Sequence, residues 1–287
     1  MQRVKKLLFF LLLAPLALFS QTDEVDEFID DLLGEEDLIK EIIKASSTHH
    51  LIQIGVDYND KTYFSGRDIG IDQFHLIPRI SYVNSKGFFS SISGVYYSEF
   101  TPKWDYTSLL VGYGKSFDKQ KKFNWAVSYA RYIYSNDIEG LFENAISGSL
   151  DYLSKNKNFG TTIESTFLFG GDNSFQLTST TFKEFELYKN GSFEISLRPQ
   201  IEIIIAQQTI EQIRIDRDGT IPVIVYTQNN EFGLINTELK LPIQASYNSF
   251  DIELGYTVNL PNALPGEGTL NSTGFFNVSL SYTMLFD

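Results

Sequence analysis

The chain has 287 residues, no cysteine and a formal net charge of −13, with 15% aromatic and 21% charged residues. Lack of cysteine excludes disulfide scaffolds, thiolate metal sites, cysteine catalysis and a lipidated N-terminal cysteine. The acid excess excludes a broad nucleic-acid surface, and a slightly negative mean hydropathy excludes a bundle of membrane helices.

Arg3, Lys5 and Lys6 precede an apolar run from Leu7 to Phe19 that ends at Ser20. A basic start, a short apolar stretch and a small residue are the marks of an export signal, so 1–20 is predicted to be a signal peptide.

Residues 21–47 form an acidic amphipathic segment, with ten acidic residues between Asp23 and Lys44. Phe28, Ile29, Leu32 and Leu33 follow helical spacing, as do Leu38, Ile39, Ile42 and Ile43. Helices this short are marginal alone, so they need a surface to bury against. The expectation is a short periplasmic helical segment with three readings open: a loosely ordered acidic leader, a stripe within 23–44 that docks on a periplasmic or neighbouring barrel partner, or a plug of the lumen.

From Leu51 onward the apolar period is two. Ile52, Ile54, Val56 and Tyr58 oppose Gln53, Gly55, Asp57 and Asn59, and Phe250, Ile252, Leu254 and Tyr256 oppose Asp251, Glu253, Gly255 and Thr257. Segments of this kind lie near 50–59, 73–83, 88–98, 107–116, 123–134, 144–154, 159–169, 174–187, 193–206, 232–247, 250–260 and 275–286. Each has about the ten residues that a tilted strand needs to cross a bilayer. Long and short connections alternate, which places short turns and both termini on the periplasmic side. Hydrocarbon offers no partner for backbone N–H and C=O groups, so such strands must close into a ring. Residues 48–287 are therefore predicted to be an all-β, closed antiparallel transmembrane barrel of about 12 strands, with 10–14 open. Pro78, Pro199 and Pro242 fall inside these strands, against the need for a continuous ladder. Strands three and eight mix their parity.

The polar faces predict a lumen lined by Arg79, Asp151, Glu164, Glu194, Arg198, Glu202, Glu238, Lys240, Asp251 and Glu253. Acids outnumber bases there, which suits either a narrow cation-preferring pore or an ion-paired filling. The stretch 207–231 reads as a hairpin continuing two strands beyond the membrane, with Asp218-Gly219 at its turn. Of three histidines, His49 and His50 point to opposite faces and hold no common metal. His75 faces the lumen, where Ser65 or Ser98 is the nucleophile a catalytic reading would need.

The ending Tyr282-Thr283-Met284-Leu285-Phe286-Asp287 resembles the terminal assembly signal of bacterial outer-membrane barrels, with one residue after the final aromatic. Together with Tyr63-Phe64-Ser65-Gly66-Arg67-Asp68-Ile69-Gly70 through Trp104-Asp105, the chain resembles outer-membrane barrel proteins of Bacteroidota. That resemblance implies the outer membrane, contact with its lipid, and assembly by the barrel-insertion machinery. Asn59, Asp60, Tyr63 and Arg67 are also similar to the Asn-Asp stretch of twelve-stranded lipid A deacylases, without that family's later histidine region. The sequence thus predicts a non-enzymatic accessory or scaffold barrel of an envelope complex, with no cofactor, metal or nucleic acid. A narrow, weakly cation-preferring channel or small-solute transporter is the alternative, and a lipid hydrolase of the outer membrane the remote one.

Overall fold

A computed structural model describes residues 50–135, 142–171, 173–218 and 221–286. The predicted signal peptide, the acidic segment carrying Phe28 to Ile43, and His49 lie outside the described residues. The strands in chain order are β1 (His50–Asn59), β2 (Tyr63–Phe64), β3 (Arg67–Asp68), β4 (His75–Val83), β5 (Phe88–Tyr97), β6 (Trp104–Ser116), β7 (Phe123–Tyr134), β8 (Phe142–Leu153) and β9 (Phe159–Gly170). They continue with β10 (Ser174–Lys183), β11 (Phe185–Asn190), β12 (Phe193–Leu197), β13 (Gln200–Asp218), β14 (Ile221–Lys240), β15 (Ile243–Tyr247), β16 (Phe250–Pro261) and β17 (Thr273–Phe286).

These segments build twelve staves, because β10–β11, β12–β13 and β14–β15 are each one stave interrupted toward its short-turn end. Every neighbouring pair is antiparallel. The last stave, β17, pairs with β16 (Phe250↔Tyr282) and with β1 (His50↔Phe286), so the sheet closes without a free border. Closure satisfies the ladder internally, as a strand in lipid requires. β2 and β3 form a small hairpin inside the 60–74 connection.

Two of the three prolines sit where the ladder is already interrupted. Pro199 follows Arg198 in the gap between β12 and β13, and Pro242 follows Leu241 between β14 and β15. The carbonyls still serve the seam: Lys183 N donates to Pro199 O at 3.1 Å and Arg198 N to Pro242 O at 3.0 Å. Pro78 pairs with Val56 on β1, while the register between β4 and β5 skips Ile77 and Pro78 beside a bulge at Gly94. A missing N–H is tolerated at such a break.

Exposure alternates most regularly along β10 and β16. On β8, Leu150 is 59% exposed and its neighbour Ser149 5%. The outer face carries Ile54, Ile80, Ile92, Leu109, Val111, Val127, Ile146, Ile163, Ile201 and Leu280, all exposed. Aromatic rings collect at both ends of this band. Near the short turns, Phe88 meets Tyr113 at 4.9 Å, Phe123 meets Tyr152 at 5.1 Å, and Phe250 meets Tyr282 at 4.6 Å. At the opposite end Tyr58 meets Phe74 at 5.6 Å, and Tyr256 meets Phe276 at 4.7 Å. An apolar girdle between two aromatic belts is the exterior of a membrane-spanning barrel.

The inner face is not uniformly polar. Tyr97, Tyr132, Phe142, Leu168, Ile204 and Ile235 point inward and are fully buried, and they cluster with Val95, Tyr106 and Leu264. This explains the mixed parity of β5, where Phe89, Val95 and Tyr97 share the inner face with Ser91 and Ser93. The arc from β5 to β13 fills the end of the lumen remote from the termini.

Candidate functional site

The opposite arc, formed by β14, β16, β17, β1 and β4, keeps a polar inner face. Gln53, Asp57, Asp251, Glu253, Asn277, Ser279, Ser281 and Thr283 are half-buried rather than packed. Strand alternation puts all of them on the lumen side.

Within this arc the charged residues join a chain of contacts. Lys240 Nζ lies 2.7 Å from Glu202 Oε2 and 3.1 Å from Glu238 Oε2. Glu202 and Glu238 are direct register partners on β13 and β14, so the lysine separates two adjacent carboxylates. Asn236 Nδ2 donates to Glu238 Oε1 and to Asn259 Oδ1, each at 3.2 Å. Asn259 Nδ2 donates to Thr273 Oγ1 at 3.1 Å, whose hydroxyl donates to Gly66 O at 2.9 Å. Arg79 approaches Asp57 at 3.6 Å. Asp251 accepts from Ser246 and Gln244, and Glu253 is register partner of Gln244 and Ser279.

The remaining predicted lining residues lie elsewhere. Asp151 accepts from Thr162 at 2.7 Å and Ser149 at 3.4 Å, and Glu164 accepts from Thr166 at 3.4 Å, all on the inner face of β8 and β9. The Arg198 guanidinium stacks over the Phe182 ring at 4.0 Å. Glu194 sits at the rim near the short turns, 2.5 Å from Lys189.

The mouth opposite the short turns is covered by the 60–74 connection. Arg67 grips Glu267 with two parallel bonds, Nε to Oε1 and Nη2 to Oε2, both 2.9 Å. The same guanidinium donates to the carbonyls of Ser65, Ile235 and Asn262. Gly66, at φ +76°, lies so close to Asn236 that a Cβ would come within 2.7 Å of its Oδ1. Only glycine takes both that backbone and that approach without strain. Tyr63 rests on Phe275 at 6.3 Å.

Sequence reading did not single out Arg67–Glu267, Gly66, Asn236, Asn259 or Thr273 as a unit. Asn236 and Asn259 share parity with Glu238 and Glu253, a signal that was readable. Arg67 and Glu267 are separated by 200 positions and no local pattern joins them.

His75 is built into the rim. Asn59 Nδ2 lies 2.6 Å from Nε2, and Thr62 Oγ1 lies 2.9 Å from Nδ1. With Asn59 donating to Nε2, Nδ1 carries the proton and donates to Thr62, whose hydroxyl passes on to Gln73 O at 3.3 Å. Both ring nitrogens are thereby engaged, while Ser98 Oγ accepts from Phe74 N at 3.2 Å. His50 belongs to the outer belt, stacked on Phe286 at 5.7 Å and 2.7 Å from the Tyr82 hydroxyl. Among the described residues no group of three acidic or histidine side chains is placed to hold a metal ion.

The closed ring, apolar girdle and paired aromatic belts define a transmembrane β-barrel of the outer-membrane type. No protein family and no curated protein matches the sequence. Solved structures similar to the chain are outer-membrane barrels. The NanC porin shares 10% identity over 80% of this chain and 98% of its own, with a TM-score of 0.46. The KdgM porin shares 8% over 81% and 98%, also at 0.46. LpxR from Salmonella typhimurium shares 10% over 81% and 99%, at 0.44.

Proposed function

We propose that the chain is a narrow, cation-preferring conduit of the outer membrane, closed at its outer mouth in the state described. The observation that carries this reading is the polar arc on β14, β16, β17, β1 and β4, half-buried at Asp57, Asp251, Glu253 and along β17, where acids outnumber bases. Asp57, Glu238, Asp251 and Glu253 face Arg79 and Lys240 there. Acid excess in a low-dielectric passage raises the local concentration of cations. In this reading residues 1–20 direct export, the insertion machinery assembles 48–287, and the termini and short turns face the periplasm. Planar-bilayer recording of the purified barrel under a KCl gradient tests it. Intermittent openings with a cation-side reversal potential are expected; a barrel that never opens overturns the conduit.

A second reading is favoured by the other arc. Inward Tyr97, Tyr132, Phe142 and Leu168 fill the lumen between β5 and β9, as suits a non-enzymatic accessory or scaffold. Residues 21–47 would then dock the barrel on an envelope partner. Pull-down from solubilised envelopes with and without 21–46 tests this, and an unchanged set of partners overturns it.

A further inference from the structure

We propose that the Arg67–Glu267 pair is a latch that keeps the 60–74 connection seated in the mouth of the polar arc, and that releasing it opens the conduit. The inference rests on the conduit reading above and names how that passage is closed.

Three observations carry it. First, the pair is bidentate, and the two side chains retain only 12% and 14% exposure. A forked guanidinium–carboxylate pair fixes orientation as well as distance, and shielding from water strengthens it. Second, the latch adds a tie between elements from distant parts of the chain. Arg67 comes from β3, Glu267 from the 262–272 connection, and the guanidinium also reaches the Ile235 carbonyl on β14. Glu267 is itself held, since its Oε2 accepts from Leu264 N at 2.6 Å, and Leu264 packs into the apolar cluster. Third, the seated tip touches the lumen chain directly. Ser65 is 1% exposed, Gly66 abuts Asn236, and Gly66 O accepts from Thr273. The connection therefore covers the side of the lumen that the inward aromatics leave unfilled.

Arg67 is also the residue after which trypsin cuts, so its accessibility reports seating independently of current. The full barrel is reconstituted in liposomes as wild type, Glu267→Gln, Arg67→Lys and Gly66→Ala. Glu267→Gln removes the charge, Arg67→Lys keeps the charge and the cleavage site but loses the fork, and Gly66→Ala drives a Cβ into Asn236. Asp72→Asn is the control, because the Lys61–Asp72 pair is exposed and lies outside the latch. The expected result is at least ten-fold faster cleavage after position 67 in the three latch variants, wild-type protection in Asp72→Asn, and raised open probability in bilayers. Wild-type protection in both Glu267→Gln and Arg67→Lys overturns the latch. Faster cleavage with a barrel that stays silent upholds the latch and removes the conduit reading.

Discussion

Lys240 bridges Glu202, a fully buried carboxylate, and its register partner Glu238 on the next stave. One ammonium thus compensates two neighbouring acids inside the barrel wall. Removing one partner of a buried ion pair leaves an uncompensated charge, at a cost of roughly 3–5 kcal/mol. Lys240→Ala should lower the unfolding free energy of the reconstituted barrel, read from urea titration, by that order. Adding Glu202→Gln should restore much of the loss. If the double variant is no more stable than the single one, the two residues are not energetically coupled.

Adjacent positions on β8 separate the lipid face from the lumen face. Leu150 is exposed on the outer girdle, whereas Ser149 is buried and hydrogen-bonded to Asp151. An arginine on the lipid face near mid-membrane costs about 2–4 kcal/mol. Leu150 lies two residues from the belt residue Tyr152, so Leu150→Arg is expected to destabilise the folded barrel in vesicles by less than this, on the order of 1 kcal/mol, while Ile146→Val on the same face changes it little. Equal stability of Leu150→Arg and wild type would mean that this face is not in hydrocarbon.

Strand positions were readable because parity is a local property. The alternation of Ile252, Leu254 and Tyr256 with Asp251, Glu253 and Gly255 fixes the face of β16 whatever its neighbours are. The hairpin predicted over 207–231 is equally local, and β13 and β14 do run on as a paired ladder to Asp218↔Ile221. The prolines could not be placed from sequence, because tolerance of Pro199 depends on a seam shared with Glu184 and Leu241 on other staves. Mixed parity on β5 likewise had no local explanation: Val95 and Tyr97 face inward because Tyr132, Phe142 and Leu168, far along the chain, fill the same space. The latch lay furthest from view. Arg67 and Glu267 meet only because ring closure brings the first and last connections of the same mouth together.

At the other rim, the Asp118 carboxylate organises the β6–β7 turn. Its oxygens accept from the backbone N–H of Phe123, Lys122 and Gln120 at 3.0, 2.9 and 3.2 Å. These bonds, led by that from Phe123, hold its pKa below the ordinary carboxylate value. A depressed folded-state pKa means that the contribution is fully present above the unfolded value and is lost as pH falls through the folded one. Asp118→Ala should therefore be less stable than wild type at pH 7, with the gap closing at strongly acidic pH. Parallel unfolding curves at neutral and acid pH give the check; a gap independent of pH would assign the turn's stability to the side chain's shape rather than its charge.

The acids nearest the short turns should set the ion preference of the conduit. Asp251 lies two residues beyond the two-residue Asn248–Ser249 connection, and Glu253 follows two residues further along the same inner face. The recorded donors to Asp251 are the neutral groups of Ser246 and Gln244, so its charge remains available to the passage. Asp251→Asn with Glu253→Gln is expected to move the reversal potential toward zero without abolishing current. Because these groups are half-buried and face water, 1 M salt should shrink the wild-type preference as well, the screening length falling from about 8 Å at 0.15 M to about 3 Å. A reversal potential unmoved by the double substitution would place selectivity at the buried Glu202–Lys240–Glu238 group instead, which salt reaches far less.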